Sequence, residues 1–256
     1  MLGIYLSGTG NTRHCVEKMV PLLDKTGETV PMEDPDAGKL ISRHERILLG
    51  YPIQYSNIPV MVRDFITSHS NLWKGKQVFC LVTMGLFSGD GAGCAARLLK
   101  GCGAEVLGGL HLKMPDSICD EKLLKRSMEE NWALIKAADG KIDRWAERIK
   151  AGEWPREGLR TYHRLAGLLG QRLWFSGKTR DYSDKLNISE ACVGCGLCAG
   201  LCPMGNLSIQ GRKAVAGGRC TMCYRCLNSC PKKAITLLGK RVILQYDCDT
   251  VLKNGR

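Results

Sequence analysis

The sequence predicts an α/β protein: a doubly wound parallel sheet followed by a smaller cysteine-rich domain. Three observations predict it. Over the first 115 or so residues, short apolar runs alternate with helical patterns, the signature of a parallel sheet with helical crossovers. A turn rich in glycine and hydroxyl groups, SGTGNT at residues 7–12, lies directly between the first apolar run and the first helical pattern. One cysteine spacing occurs twice within residues 192–231.

The elements follow in order. Leu2, Ile4 and Leu6 open a strand, and a helix follows over residues 11–23. Residues 46–51, RILLGY, form a continuous apolar run ending at Pro52, as expected of a strand buried on both faces. Pro59 suits the first turn of a helix reaching about Ser68. Residues 78–83, VFCLVT, are another buried strand. Residues 89–101 contain a helix, and residues 104–112 a last strand.

From Asp120 to Lys150 the chain reads as one long helix. Leu123, Leu124, Met128, Trp132, Ile135, Ile142, Trp145 and Ile149 recur at helical spacing. A second amphipathic helix is expected over residues 157–175, with one arginine-rich face (Arg156, Arg160, Arg164, Arg172). A membrane-surface helix has this pattern too, but packing on a neighbouring domain with solvated charges is the commoner use. Residues 176–185 read as a polar linker. The expected organisation is therefore a sheet domain at 1–150, a helical linker at 151–185 and a cysteine-rich domain at 186–256.

The repeat is Cys192-x2-Cys195-x2-Cys198-x3-Cys202-Pro203, then Cys220-x2-Cys223-x2-Cys226-x3-Cys230-Pro231. Three thiolates this close suit three iron corners of a cubane cluster, and the fourth iron must be reached from elsewhere. Structural zinc is the alternative. Zinc ribbons separate two CxxC pairs by a longer stretch, so the tight triplet with Cys-Pro argues for iron–sulfur. This segment closely resembles the bacterial two-cluster ferredoxins over about 50 residues. The resemblance implies a small α+β fold with two [4Fe–4S] clusters and crossed ligation. One site would be Cys192, Cys195, Cys198 and Cys230, the other Cys220, Cys223, Cys226 and Cys202.

The turn at residues 7–12 lacks the Gly-Lys-Ser/Thr ending of a Walker A loop. Its backbone N–H groups at a helix start suit a phosphate, with hydroxyls from Ser7, Thr9 and Thr12 and the amide of Asn11 as further donors. Two later loops are expected beside it at the C-terminal sheet edge, where ligands bind open α/β sheets. One follows the third strand, with Tyr55 as a candidate for stacking on a flat ring. The other follows the fourth strand, with Phe87 as the candidate.

SGTGNT, the Pro52 loop and the SGDG loop together resemble the flavodoxins, over about residues 1–150. The resemblance implies strand order 2-1-3-4-5 and bound FMN. It implies a phosphate loop of Ser7, Gly8, Thr9, Gly10, Asn11 and Thr12. The ring loops it implies are Pro52, Ile53, Gln54 and Tyr55, and Thr83, Met84, Gly85, Leu86, Phe87, Ser88, Gly89, Asp90 and Gly91. Joined to the cysteine repeat, the whole chain resembles the bacterial flavodoxin–ferredoxin fusion proteins. The function this implies is electron transfer between an external redox partner, two clusters and FMN, as an oxidoreductase. A pure electron carrier and a redox-sensing binding module are the alternatives.

Composition narrows the remaining classes. No apolar run approaches the roughly 20 residues of a membrane helix. The first residues lack a basic start and a long apolar core, so a signal peptide is not expected and a cytoplasmic location is. There are 14 cysteines. Six of them (Cys15, Cys80, Cys94, Cys102, Cys119, Cys248) lie outside the repeat, which fits a reducing and anaerobic setting. The net charge is +12 and aromatic content is 6%. With no zinc-finger or RNA-binding motif, nucleic acid is not expected, and an acidic redox protein is the better partner. No Gly-x-Gly-x-x-Gly appears, so direct NAD(P)H oxidation has no support. His111, near Asp116, is a candidate proton donor, but an ordinary strand-end residue is the commoner reading.

Overall fold

The computed structural model describes residues 1–160 and 185–255. Five parallel strands, β1 (Leu2–Tyr5), β2 (Glu28–Pro31), β3 (Arg46–Pro52), β4 (Gln77–Met84) and β5 (Glu105–Lys113), form one sheet in the order β2-β1-β3-β4-β5. The helices between them are α1 (Asn11–Leu23), α2 (Ala37–Arg43), α3 (Val60–Ser68) and α4 (Gly91–Gly101), and α5 (Met128–Lys150) follows the last strand. The strand order reverses direction between β1 and β3, and the loops after β1 and β3 therefore open a crevice.

Successive strand residues point to opposite faces, and both faces are covered. Ile47, Leu49, Val78, Cys80 and Val82 belong to one core, while Leu48, Phe79 and Leu81 belong to the other. This is why β3 and β4 read as continuous apolar runs. Helix α1 lies close on the sheet, and a Cβ at Gly50 would come within 2.3 Å of Val16.

Two expectations need correction. Helix α5 begins at Met128 instead of near Asp120. Ser127 and Glu130 form a capping box that fixes this start, and only a short 3-10 turn at Lys122–Leu124 precedes it. Asp120 serves another purpose: its buried carboxylate accepts the backbone N–H groups of Leu237, Leu238 and Gly239 at 2.7, 3.0 and 3.1 Å. Nor does a helix begin at Glu157. Residues 157–160 form a turn in which Gly158 has φ 73° and Glu157 accepts from the His111 N–H and Lys141. The rest of that expected helix and nearly all of the expected linker lie outside the described residues.

The cysteine-rich part is a small α+β unit built from two similar halves. The first half has β6 (Asn187–Ile188), α6 (Leu197–Leu201) and β7 (Leu207–Gln210). The second has β8 (Lys213–Ala216), α7 (Arg225–Ser229) and β9 (Ile235–Thr236). β6 pairs with β9 and β7 with β8, both antiparallel. Helix α8 (Cys248–Asn254) then returns to the sheet domain and joins the core beneath α1 and α5. Among the described residues no helix is long and apolar enough to cross a membrane.

Candidate functional site

A cleft opens at the C-terminal edge of the sheet. The residues after β1 that line it are Ser7, Gly8, Thr9, Asn11 and Thr12, while Gly10 stands just outside. Gly10 takes φ 85° as it enters α1, a conformation that suits glycine. The first N–H groups of α1 have no partner within the helix. No acidic residue occupies its first turn, so an anion there meets no repulsion. The side chains divide in their roles. Ser7 Oγ is buried without a hydrogen-bond partner. Thr12 Oγ1 lies 2.8 Å from Thr83 Oγ1. Asn11 Nδ2 donates to the Pro115 carbonyl at 2.8 Å, and Asn11 Oδ1 accepts from Tyr246 OH at 2.5 Å. Asn11 and Thr12 thus brace the loop, and the orphaned Ser7 hydroxyl remains for a ligand.

Pro52, Ile53, Gln54 and Tyr55 line a second wall, and Thr83, Met84, Gly85, Leu86 and Phe87 a third. Tyr55 and Ser56 hold φ of 50° and 57°, conformations uncommon for side-chain-bearing residues and concentrated at functional loops. The remaining expected loop residues, Ser88, Gly89, Asp90 and Gly91, fall outside the lining and anchor α4. Ser88 Oγ meets His111 Nδ1 at 2.7 Å, Asp90 pairs with Arg97 at 2.8 Å, and the Gly91 carbonyl accepts from Tyr51 OH at 3.0 Å.

Sequence reasoning missed two further groups in this lining. Met114, Pro115, Asp116, Ser117 and Ile118 come from the chain after β5. Burial pushes the Asp116 carboxyl up, against the opposing pull of the Ile118 N–H, Lys125 and Arg126. Met222, Cys223 and Tyr224 come from the cysteine-rich part. Their loop is fixed to the sheet domain by named contacts. Gln54 Nε2 donates to the carbonyls of Thr221 and Met222 at 2.8 and 3.2 Å. Arg225 donates to the Ser7 carbonyl at 2.8 Å and pairs with Glu33 at 2.5 Å. A Cβ on Gly8 would stand 1.9 Å from the Cys223 carbonyl oxygen, so the two backbones meet directly.

The two halves of the repeat differ where this wall forms. Gly194 and Gly196 hold φ of 65° and 80° in the first half. The equivalent residues of the second half, Met222 and Tyr224, hold φ of 57° and 60° despite their side chains. That backbone costs on the order of 1 kcal/mol or more for each. Both strained residues face the cleft, and this asymmetry was the signal available in the sequence.

The eight repeat cysteines surround two separate cavities. Cys220, Cys223 and Cys226 line one together with Cys202. Cys192, Cys195 and Cys198 line the other together with Cys230. Each cavity thus receives three cysteines of one run and the fourth of the other. Among the described residues no group of three His, Cys, Asp or Glu side chains gathers as a site for one metal ion. Backbone N–H groups of Ala214, Asn206, Met222 and Ala234 point at the sulfurs of Cys192, Cys202, Cys220 and Cys230 at 3.3–3.4 Å. Cys223 and Tyr224 line both the cavity of Cys202, Cys220 and Cys226 and the cleft.

The other cysteines are packing groups. Cys15, Cys80, Cys119 and Cys248 are fully buried. Burial pushes the Cys80, Cys119 and Cys248 thiols up to about 12, far from a reactive thiolate.

Residues 2–93 match the family model of the flavodoxin domain. The N-terminal part therefore carries a flavodoxin domain, with a cysteine-rich region after it. Solved structures similar to the chain include the two-electron reduced flavodoxin of Megasphaera elsdenii, at 26% identity, covering 55% of this chain and 99% of that one with a TM-score of 0.41. Oxidised flavodoxin 2 of Bacillus cereus is 22% identical, covering 57% and 97% at a TM-score of 0.42. The Fusobacterium nucleatum flavodoxin bound to flavin mononucleotide is 17% identical, covering 59% and 97% at 0.41. No curated protein matches the chain.

Proposed function

We propose that the chain is an electron-transfer protein that binds FMN in the cleft and one [4Fe–4S] cluster in each cysteine-lined cavity. One observation carries the reading: Cys223 and Tyr224 line the cleft and the cavity of Cys202, Cys220 and Cys226 at once. FMN supplies storage of one or two electrons, and each cluster exchanges single electrons.

The residues divide the work. The N–H groups that open α1 and the unpartnered Ser7 hydroxyl receive the phosphate. Residues 52–55 and 83–87 flank the ring. Met222 and Tyr224 close the remaining side and keep water from it. Cys220, Cys223, Cys226 and Cys202 hold the inner cluster, and Cys192, Cys195, Cys198 and Cys230 the outer one. Four thiols around a cavity suit a polynuclear group better than one zinc ion, which draws its ligands to a point at about 2.3 Å. Gln54, Arg225 and Asp120 keep the two parts in register, and that register decides transfer between carriers.

The crossed ligand sets give the test. In anaerobically purified protein, Cys202→Ala damages the cluster held by the second triplet, and Cys230→Ala the cluster held by the first, as read by iron content and electron paramagnetic resonance of the reduced protein. Loss in each variant of the cluster of its own triplet contradicts the ligand assignment.

A further inference from the structure

We propose that the face formed by Val193, Leu197 and Ile209 docks a small acidic electron-carrier protein. The inference rests on the two-cluster reading above. It comes from comparing the two halves of the repeat.

In the second half the loop between the cysteines is covered. Thr221 is buried and its carbonyl accepts from Gln54, while Arg225 bonds Ser7 and Glu33. The flavodoxin domain occupies that face. The equivalent residues of the first half are Val193 and Leu197, and they are 56% and 44% exposed. Ile209 on β7 is 39% exposed beside them. All three line the cavity of the first cysteine set. Scattered exposed apolar residues are ordinary, but three around one cavity mark an interaction site. The repeat therefore presents two equivalent faces, one taken by a redox domain of the same chain and one open among the described residues.

Charge selects the occupant. Residues 186–240 hold seven Lys and Arg and one acidic residue, Glu190. Glu190 is paired with Lys213. Arg212, Lys232 and Lys233 are exposed, and Lys232 flanks the cavity. An apolar centre within a basic rim fits a protein with an apolar contact surrounded by carboxylates. It has no aromatic side chain on which a base would stack.

The test uses the full-length, cofactor-loaded protein and a small acidic two-iron ferredoxin as probe. Binding is measured calorimetrically at low and at high salt, for the wild type, for the Lys232→Glu, Lys233→Glu double variant and for Leu197→Gln. Iron and sulfide content are measured alongside. The expected result is a Kd raised at least about tenfold in the double variant, with a flatter salt dependence and unchanged iron. Leu197→Gln weakens binding at both salt concentrations. Equal Kd for all three proteins with full iron overturns the docking surface and leaves the two-cluster reading standing. Binding to anionic lipid vesicles, lost in the double variant, with none to the ferredoxin assigns the face to a membrane and overturns the proposal. A wild-type protein without iron and sulfide sinks the underlying reading itself.

Discussion

Gly8→Ala strikes a direct backbone approach between the two parts of the chain. The added Cβ would lie 1.9 Å from the Cys223 carbonyl oxygen, where Cβ contacts under 3.0 Å are essentially never found. The obstacle is backbone, so no side chain can swing aside. The phosphate loop and the Met222–Tyr224 wall must separate by about 1 Å or more. Forced overpacking of this kind costs about 1–3 kcal/mol. For a chain of this size that is a fall in Tm of roughly 2–12 °C. The same displacement opens the cleft between its phosphate end and the Met222–Tyr224 wall, so FMN affinity falls at least about tenfold, which corresponds to about 1.4 kcal/mol. Flavin fluorescence titration of apoprotein and thermal unfolding measure the two effects. Gly101→Ala is the control, because a Cβ there meets nothing within 4 Å. A Gly8→Ala protein with wild-type Tm and wild-type FMN affinity would refute the contact between the phosphate loop and the Cys223 loop.

Three further outcomes follow from the same geometry. Asp120→Ala leaves the N–H groups of Leu237, Leu238 and Gly239 without their acceptor. Only the Leu237 bond is fully buried, so with about 1–3 kcal/mol for an unsatisfied buried group urea unfolding should show a loss of about 1–3 kcal/mol, and Asp120→Asn a smaller one. Burial raises the Asp116 carboxyl, so the folded protein binds its proton more tightly than the unfolded chain does. Its charged form therefore destabilises the fold as pH rises from the ordinary carboxylate value through the raised one. Asp116→Asn keeps the oxygen that accepts the Ile118 N–H, so it should match wild-type stability at pH 3 and exceed it at neutral pH; parallel curves would refute this. Tyr224→Gly suits the left-handed backbone at φ 60° and removes the ring from the cleft, so it should weaken FMN binding about tenfold while cysteine ligation persists.

The sheet domain was legible because its signals are local. The helix read at residues 11–23 coincides with α1, and the continuous apolar runs of β3 and β4 reflect cover on both faces. Helix α5 was started too early because Leu123 and Leu124 match a helical period, yet Leu123 is 96% exposed and the capping box at Ser127 decides the start. The sequence leaves the cleft incomplete where long-range packing enters. Nothing local in Met114 or Asp116 says that the chain after β5 turns back across the opening. The wall of Met222 and Tyr224 did leave a local trace. A repeat that uses glycine at positions 194 and 196 and bulky residues at 222 and 224 carries backbone strain in only one half, and the strained half is the one pressed against the cleft. Asn11, expected as a ligand donor, lines the cleft while one of its amide N–H groups bonds the Pro115 carbonyl and its oxygen accepts from Tyr246.

The most direct measurement is iron, acid-labile sulfide, zinc and flavin content of the anaerobically purified full-length chain. The account predicts about eight iron and eight sulfide with one FMN per chain. Zinc in place of iron, or iron without flavin, would contradict it.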